Sequence, residues 1–367
     1  MDWFRVSNEA GVASPALLIF EERANANIRR MLAMIGDPAR LRPHVKTHKL
    51  GPLVAWQLAA GITKFKCATI AEAEMCAIEH APDVLLAMQP GGPNVARFVE
   101  LVRRFPRTHF STIADDAGAI DALDAAGAGA SLILDVWLDL DCGMRRTGAP
   151  PDARALDLFR RIHASRNLRA AGLHAYDGHL HDADPIARRL ACEQAFAPVL
   201  ALRHEIESLG IPRPALVAGG SPTFPFHAAA DDRECSPGTT VLWDFGYAEK
   251  FADLPFKPAA VLLTRVVSKP TPTRLCLDLG YKAVASENPP PRVRLLELPD
   301  AEAVMHSEEH LVIETPRARE FQVGDALHGI PRHICPTVAL YHEAIAIRDC
   351  AASETWPIAA RARRITI

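Results

Sequence analysis

Basic residues are not in excess in this chain. Its 41 Lys and Arg stand against 44 Asp and Glu, a formal net charge of −3 over 367 residues. That balance argues against nucleic acid or an anionic membrane as the main partner. No apolar run approaches the ~20 residues that a membrane-spanning helix needs. Residues 1–5 lack the basic stretch and following apolar run of a secretory signal, so a cytoplasmic location is expected. The eight cysteines form no C-x-x-C pair. In a large chain without a signal, that scatter predicts reduced thiols, most of them small buried hydrophobes. No G-x-G-x-x-G follows an early strand, which disfavours a doubly wound dinucleotide-binding sheet. Internal repeats and low-complexity tails are absent too.

What is present is a globular composition, 49% hydrophobic and 23% charged. The length allows two domains, or one large barrel with an appendage. From residue 14 to 246 short apolar runs alternate with amphipathic stretches. The runs at 16–20, 42–46, 64–68, 84–89, 108–111, 132–139, 169–176, 216–219 and 239–243 read as strands. Ile28, Met31, Leu32 and Ile35 recur at the spacing of one buried helix face, as do Val95, Phe98, Val99 and Val102. Residues 185–209 form a long Ala-rich helical stretch. Such alternation predicts a parallel sheet, and eight units over ~250 residues match a (β/α)8 TIM-type barrel. Nine strands are one too many. The first, at 16–20, is the natural surplus, so the barrel would open at Arg42 and close with 239–243. After about residue 250, Pro-rich turns punctuate strand-like runs at 260–267, 274–279, 293–298, 311–314, 344–348 and 360–367. This predicts a C-terminal β domain over 247–367, joined by the N-terminal segment 1–13.

Chemistry in such barrels sits at the C-terminal strand ends. Here those ends carry Lys46, Gln89, the stretch Asp141-Cys142-Gly143-Met144-Arg145-Arg146, and His174 with Tyr176 followed by His179 and His181. They also carry Gly219-Gly220-Ser221 and Ser236-Pro237-Gly238-Thr239. A lysine among other cations in a barrel mouth loses its proton more readily and can attack a carbonyl as a neutral amine. Gly219-Gly220-Ser221 offers bare backbone N–H groups and a hydroxyl before a turn, which suits a phosphate. Schiff-base lysine and phosphate cradle together suggest pyridoxal phosphate. Taken singly, a strand-end lysine is usually a solvated charge and a Gly-Gly pair usually only a turn.

Together these motifs resemble a known family. Pro43-His44-Val45-Lys46-Thr47-His48-Lys49 is similar to the cofactor-lysine segment of the D-threonine aldolase and eukaryotic-type D-serine dehydratase family. These are fold-type III pyridoxal-phosphate enzymes related to alanine racemase. The resemblance extends through 64–74, 139–148, 172–179, 219–223, 237–239 and 333–337. It implies an alanine-racemase-like barrel with Lys46 as the Schiff-base lysine. Arg146 would face the cofactor's phenolic oxygen and Tyr176 would lie by the ring. Gly219, Gly220, Ser221, Gly238 and Thr239 would cradle the phosphate. Ser236 stands where alanine racemases place an Arg against the ring nitrogen, which argues against simple racemisation. His333-Ile334-Cys335-Pro336-Thr337 resembles the family's metal site, and imidazole and thiolate at i, i+2 would point the same way from a strand. Cys335 favours zinc, with manganese the other option.

The resemblance further implies a small D-amino acid as substrate and a homodimer as the working form. Its main implication is a lyase that cleaves D-3-hydroxy amino acids to glycine and an aldehyde. A dehydratase releasing ammonia from D-serine or D-3-hydroxyaspartate is the alternative, and a racemase using Tyr281 as second base ranks below both. His179 is the candidate general base from its position near a strand end. His181 and the cluster 305–310 read as loop and turn residues.

Overall fold

The computed structural model describes residues 2–367; Met1, at the head of the segment 1–13, lies outside them. The chain divides into two compact units. One comprises residues 31–46, 51–238 and 362–367; the other holds the chain up to Arg30 together with 47–50 and 239–361. The division runs differently along the chain from boundaries at 14 and 246. The first strand, β1 (Ala16–Phe20), belongs to the second unit and lies outside the barrel.

The first unit is the barrel. Its parallel strands are β2 (Lys64–Cys67), β3 (Asp83–Leu86), β4 (His109–Ala114), β5 (Leu134–Leu140), β6 (Leu168–Ala175), β7 (Ala215–Ala218) and β8 (Glu234–Cys235), each paired with its neighbour in sequence. The residues from Leu41 to Lys46 close the ring. Leu41 bridges Cys235 and His44 bridges Lys66, both in parallel sense. Arg42 N–H donates to Cys235 O, His44 N–H to Pro237 O and Lys66 N–H to Pro43 O, each at 2.9 Å.

The expected closing strand at 239–243 is not a strand. The ring closes earlier, at Glu234–Cys235, and Thr239–Val241 forms a 3-10 turn in the second unit. Pro237 has no N–H for a ladder and Gly238 favours a turn, so pairing stops there. Val241, Leu242 and Trp243 are fully buried, and a short buried apolar run looks the same in either conformation.

Side-chain chemistry explains why these helices start where they do. Thr69 accepts from Glu72 N–H at 3.1 Å and caps the helix Ile70–Ile78, while the Glu72 carboxylate accepts from Ala68 N–H at 2.6 Å. Asp116, Asp152 and Asp184 cap later helices in the same way. Leu85, Ile113, Trp137 and Val217 from β3, β4, β5 and β7 pack together in one core cluster. At the N-terminal strand ends a chain of ion pairs ties the ring together. Arg42 lies 2.5 Å from Asp83 and 2.6 Å from Glu234, and Lys64 also pairs with Glu234. His109 continues the chain to Asp135 at 2.6 Å, and Arg169 meets the same carboxylate at 2.6 Å.

The second unit is a mixed sheet. After β1 its strands are β9 (Ala260–Thr271), β10 (Arg274–Leu277), β11 (Val293–Leu295), β12 (Glu302–His306), β13 (Leu311–Glu314), β14 (Ala326–Pro331), β15 (Glu343–Arg348) and β16 (Ala351–Pro357). The order is β12-β13-β10-β9-β1-β15-β16, with β14 joining β9 to β11. Thus β1 is central, antiparallel to β9 and parallel to β15. Its side chains and those of β9 build a core with Phe4, Val6 and Ile347. The run at 360–367 is not a strand. Ala359–Ala362 is a 3-10 turn, and the residues after it dock on the barrel unit, where Thr366 N–H donates to Glu74 at 3.1 Å.

Candidate active site

The mouth of the barrel is lined by His44, Lys46, Lys66, Asp139, Arg146, His174 and Tyr176, with Ile113, Leu140, Met144 and Thr147 among the walls. Lys46 sits in the 3-10 turn Val45–Thr47, directly after the closing segment. Its backbone N–H donates to His44 Nδ1 at 3.3 Å. Tyr176 follows β6, and three basic groups surround its ring. Lys46 Nζ and Lys66 Nζ each lie 5.5 Å from the ring centroid, and Arg146 Cζ lies 5.1 Å from it.

Arg146 is delivered by the loop after β5. Asp141 Oδ1 accepts from the N–H groups of Gly143 and Arg145, each at 2.9 Å, and Asp115 accepts from Gly148 N–H at 2.6 Å. Gly143 has φ +123°, and a side chain there would press into the His179 ring. His179 therefore packs against the loop that carries Arg146 and does not itself line the mouth. Its Nδ1 is buried with no hydrogen-bond partner.

Within the mouth lining His174, named among the strand-end residues, joins two groups that composition and spacing do not single out, Lys66 and Asp139. His174 Nδ1 donates to Asp139 Oδ1 at 2.7 Å, and His174 Nε2 faces Lys66 Nζ at 3.4 Å. Burial, reinforced by the Lys46 charge, lowers the Lys66 amine to about 7. Burial and the Lys66 charge also lower His174. A signal for Lys66 does exist in the sequence. In Lys64-Phe65-Lys66-Cys67, Phe65 and Cys67 share one strand face, which leaves Lys66 on the other.

The glycine turn after β7 is braced from below. Gly219, at φ +72°, donates its N–H to Ala175 O at 3.0 Å; a side chain there would collide with His227. Gly220 N–H donates to Thr223 Oγ1 at 3.3 Å, and Gly238 N–H donates to Ser221 Oγ at 3.0 Å. Thr223 Oγ1 donates to Asp177 Oδ1 at 2.9 Å, and His227 Nε2 donates to Asp177 Oδ2 at 2.8 Å. Asp177, Cys192 and His227 also bring three ligand atoms within 4.8 Å of one another. Burial and the Asp177 charge push the Cys192 thiol well above its usual range, so it stays protonated within this network. The Ser236 hydroxyl is buried and has no hydrogen-bond partner. A buried hydroxyl without a protein partner is one that a bound ligand or a water satisfies.

The remaining expected residues lie in the β unit. Thr239 opens its 3-10 turn, and its Oγ1 lies 3.6 Å from Cys335 Sγ. His333 and Cys335 are not on a strand. His333 precedes the short helix Ile334–Val338, and Cys335 lies in its first turn, so alternation across a pleat is not what brings the pair together. Asp244 anchors this turn by accepting from Ile334 N–H at 3.0 Å. The two side chains still meet. Burial opposes charge on His333, but its hydrogen bond to Cys335 and the Glu287 carboxylate raise it to about 9. Burial likewise opposes the Cys335 thiolate, and the hydrogen bonds from His333 and Thr47 outweigh it, for a net lowering. Thr47 Oγ1 lies 3.1 Å from Cys335 Sγ, and Thr47 is the chain neighbour of Lys46. Glu287 Oε1 lies 2.5 Å from His333 Nδ1, which leaves Nε2 for a metal in the usual carboxylate–histidine arrangement. Tyr281 meets the His306 ring edge-on, with an interplanar angle of 66° and ring centroids 6.4 Å apart.

The chain resembles known proteins over nearly its whole length. Residues 19–243 match the family described as alanine racemase, N-terminal domain, and residues 259–347 match a "Putative serine dehydratase domain". The chain is 28% identical to a D-threonine aldolase of an Arthrobacter species over 358 residues, covering 96% of this chain and 93% of the relative. It is 25% identical to a D-threo-3-hydroxyaspartate dehydratase of a Delftia species, covering 94% of this chain and 96% of that one. Among solved structures, a D-threonine aldolase from Filomicrobium marinum superposes with a TM-score of 0.89 at 24% identity, covering 96% of both chains. Among the described residues no helix is long and apolar enough to cross a membrane.

Proposed function

The chain belongs to the family of the alanine racemase N-terminal domain, and from that premise we propose that it is a pyridoxal-phosphate- and divalent-metal-dependent lyase of D-3-hydroxy amino acids. The reaction of this reading is retro-aldol cleavage to glycine and an aldehyde; the Arthrobacter relative is named a D-threonine aldolase. The observation that carries the reading is the convergence of Lys46 and Arg146 on the Tyr176 ring in one mouth.

The residues fit the cofactor. Lys46 is the amine that would hold it, and Arg146 and Tyr176 would orient its ring. The partnerless Ser236 hydroxyl, 2% exposed, is available as a hydrogen-bond donor to a ring nitrogen. The turn Gly219-Gly220-Ser221, with Gly238 and Thr239, would receive the phosphate through its hydroxyl side chains and not through bare backbone groups, because the N–H groups of Gly219, Gly220 and Gly238 already donate to Ala175, Thr223 and Ser221. His333, through Nε2, and Cys335 would hold the metal, and thiolate favours zinc over manganese. When bound, the cofactor supplies an electron sink and the metal a Lewis acid for the 3-hydroxyl. His179, the expected base for the hydroxyl proton, stands behind the Arg146 loop and outside the mouth lining, so that role would require the loop to move aside. The reading includes a homodimer acting in the cytoplasm, and sedimentation at micromolar concentration tests the dimer.

One observation favours a second reading, β-elimination of water followed by hydrolysis of the resulting enamine to a keto acid and ammonia. A relative 25% identical to this chain is named a D-threo-3-hydroxyaspartate dehydratase, and residues 259–347 match a putative serine dehydratase domain. Incubation of protein loaded with cofactor and zinc with D-threonine separates the two. Glycine and acetaldehyde are the expected products; 2-oxobutyrate and ammonia would establish the dehydratase instead. With neither, under zinc or manganese, the lyase reading fails.

A further inference from the structure

The barrel mouth contains a second lysine that the lyase reading does not use. Lys66 rises from β2 into the same space as Lys46, its side chain 2% exposed, and both amines lie 5.5 Å from the Tyr176 ring centroid. The hydrogen-bond partner of its amine is an imidazole and not a carboxylate: His174 Nε2 at 3.4 Å. That imidazole is fixed by Asp139, 2.7 Å from Nδ1, so Nε2 presents a lone pair to the amine. The lining as a whole sets three basic side chains and two imidazoles against one carboxylate, Asp139. The space is built to receive negative charge.

We propose that Lys66 is the proton acceptor of this pocket: it takes one proton from solvent when the anionic cofactor enters, and thereby supplies the buried positive charge that holds the cofactor. The inference rests on the pyridoxal-phosphate reading above. The step is a plain protonation, R–NH2 + H⁺ → R–NH3⁺, with the proton drawn from water or buffer.

Every group that faces Lys66 bears on this equilibrium. In the cofactor-free protein burial is the largest influence, and the charges of Lys46 and Arg42 act with it; Asp177 and Asp139 act against them. Together these leave the amine at about 7. Entry of an anion adds negative charge, and use of Lys46 to hold the aldehyde alters the nearest like-charged neighbour. The added negative charge favours the ammonium form of Lys66. His174, itself lowered by burial and by Lys66, stays neutral and accepts the new N–H. Lys66 acts here as a positioning residue for charge, distinct from Lys46, which would bond to the cofactor.

The test is calorimetric titration of cofactor-free protein with pyridoxal 5′-phosphate at pH 8, in two buffers that lack primary amines and differ in ionisation heat. The ligand and Lys46 exchange protons of their own, so the readout is the difference between wild type and Lys66→Met. An amine titrating near 7 is about nine-tenths deprotonated at pH 8. Wild type should therefore take up roughly half to one proton more than the variant, and the variant should bind at least ~10-fold more weakly. Equal proton uptake in both overturns the proposal. Absence of any binding to wild type overturns the cofactor reading, and this inference falls with it. Should Lys66→Met fail to fold, wild type labelled with 15N-lysine decides. One lysine should titrate near 7 in the empty protein and lose that titration when the pocket is filled; no lysine titrating below about 9 refutes the idea.

Discussion

Asp177 should be the brace between the ring-binding and phosphate-binding parts of the mouth, and Asp177→Asn tests it. The carboxylate is 1% exposed and follows Tyr176 directly. It accepts from Thr223 at 2.9 Å and from His227 at 2.8 Å. Thr223 in turn receives Gly220 N–H, and His227 fills the space under Gly219. Asparagine has nearly the same shape but one acceptor oxygen. If that oxygen meets His227, the amide N–H₂ faces Thr223, whose hydroxyl then loses its acceptor. One charge-assisted hydrogen bond becomes neutral and the other is lost, a cost of about 2–3 kcal/mol. For a barrel unit of this size each kcal/mol moves Tm by about 2–4 °C, so the variant should melt about 4–12 °C lower. Cofactor affinity should fall as well, by about tenfold for each 1.4 kcal/mol of order lost from the glycine turn. Thermal unfolding of the cofactor-free protein and an absorbance titration with pyridoxal phosphate measure the two effects. Unchanged Tm and unchanged affinity would refute the reasoning. A lower Tm with unchanged affinity would make Asp177 a core partner with no hold on the phosphate turn.

Four further outcomes are expected. Lys46→Ala should cut turnover by at least ~10³-fold and abolish borohydride-stable attachment of the cofactor, read by mass spectrometry. Chelation, or His333→Ala, should abolish turnover while cofactor absorbance stays, because His333 and the mouth residues belong to different units; loss of the absorbance would show that the metal pair also supports the cofactor. Arg42→Met should destabilise the barrel by about 3 kcal/mol, since it removes the fully covered guanidinium between Asp83 and Glu234 and leaves them only the half-exposed His109 and the partly exposed Lys64; denaturant unfolding checks this. The hydrogen bonds from His109 to Asp135 and Asp83 raise its imidazole to about 9. The stabilisation is complete below the unfolded value near 6.5 and is lost as pH rises through 9. Because His109 is half exposed, about 1 kcal/mol is at stake. Lys66, lowered in the folded state, changes stability in the opposite sense over the upper part of this window. The pH dependence of stability in wild type minus that in His109→Gln isolates the imidazole, and parallel curves would refute its role.

Much of the barrel is legible in the sequence because its strands have apolar residues that helices must cover. β2, β4, β5, β6 and β7 fall where period and turn signals place them. The segment after Leu41 reads as a strand, yet it closes the ring with two bridges only, since Pro43 interrupts its pairing. The β unit is harder to read. β12 and β16 are the two ends of the strand order, with mostly exposed or half-exposed side chains, so neither carries an apolar pattern. β14 contains His328, Gly329 and Pro331 and carries no strand pattern, so the sequence does not mark it as a strand. His328 is nevertheless fully buried, its Nδ1 2.8 Å from Glu297. Cys335 and His333 were legible as a pair, although the local structure that joins them is a helix start. Lys66 and Asp177 were not singled out, because a charged residue is expected at the surface unless a specific partner is known to cover it.

The two ends of the barrel solve opposite electrostatic problems. At the N-terminal ends charges are matched. Arg42 meets two carboxylates, Lys64 shares one of them, and Asp135 sits between His109 and Arg169. Such pairing costs little once formed and holds the ring closed. At the C-terminal ends the lining holds Lys46, Lys66 and Arg146 against Asp139 alone. Folding alone does not favour that imbalance, since like charges gathered in a half-enclosed space repel and one amine gives up its proton there. The imbalance makes sense if an anion completes the site. The positive charge that opposes folding of the empty barrel then becomes binding energy for the cofactor. It follows that the stabilisation gained on adding pyridoxal phosphate should shrink when Arg146 or Lys66 is neutralised, but should be indifferent to changes in the paired ring below.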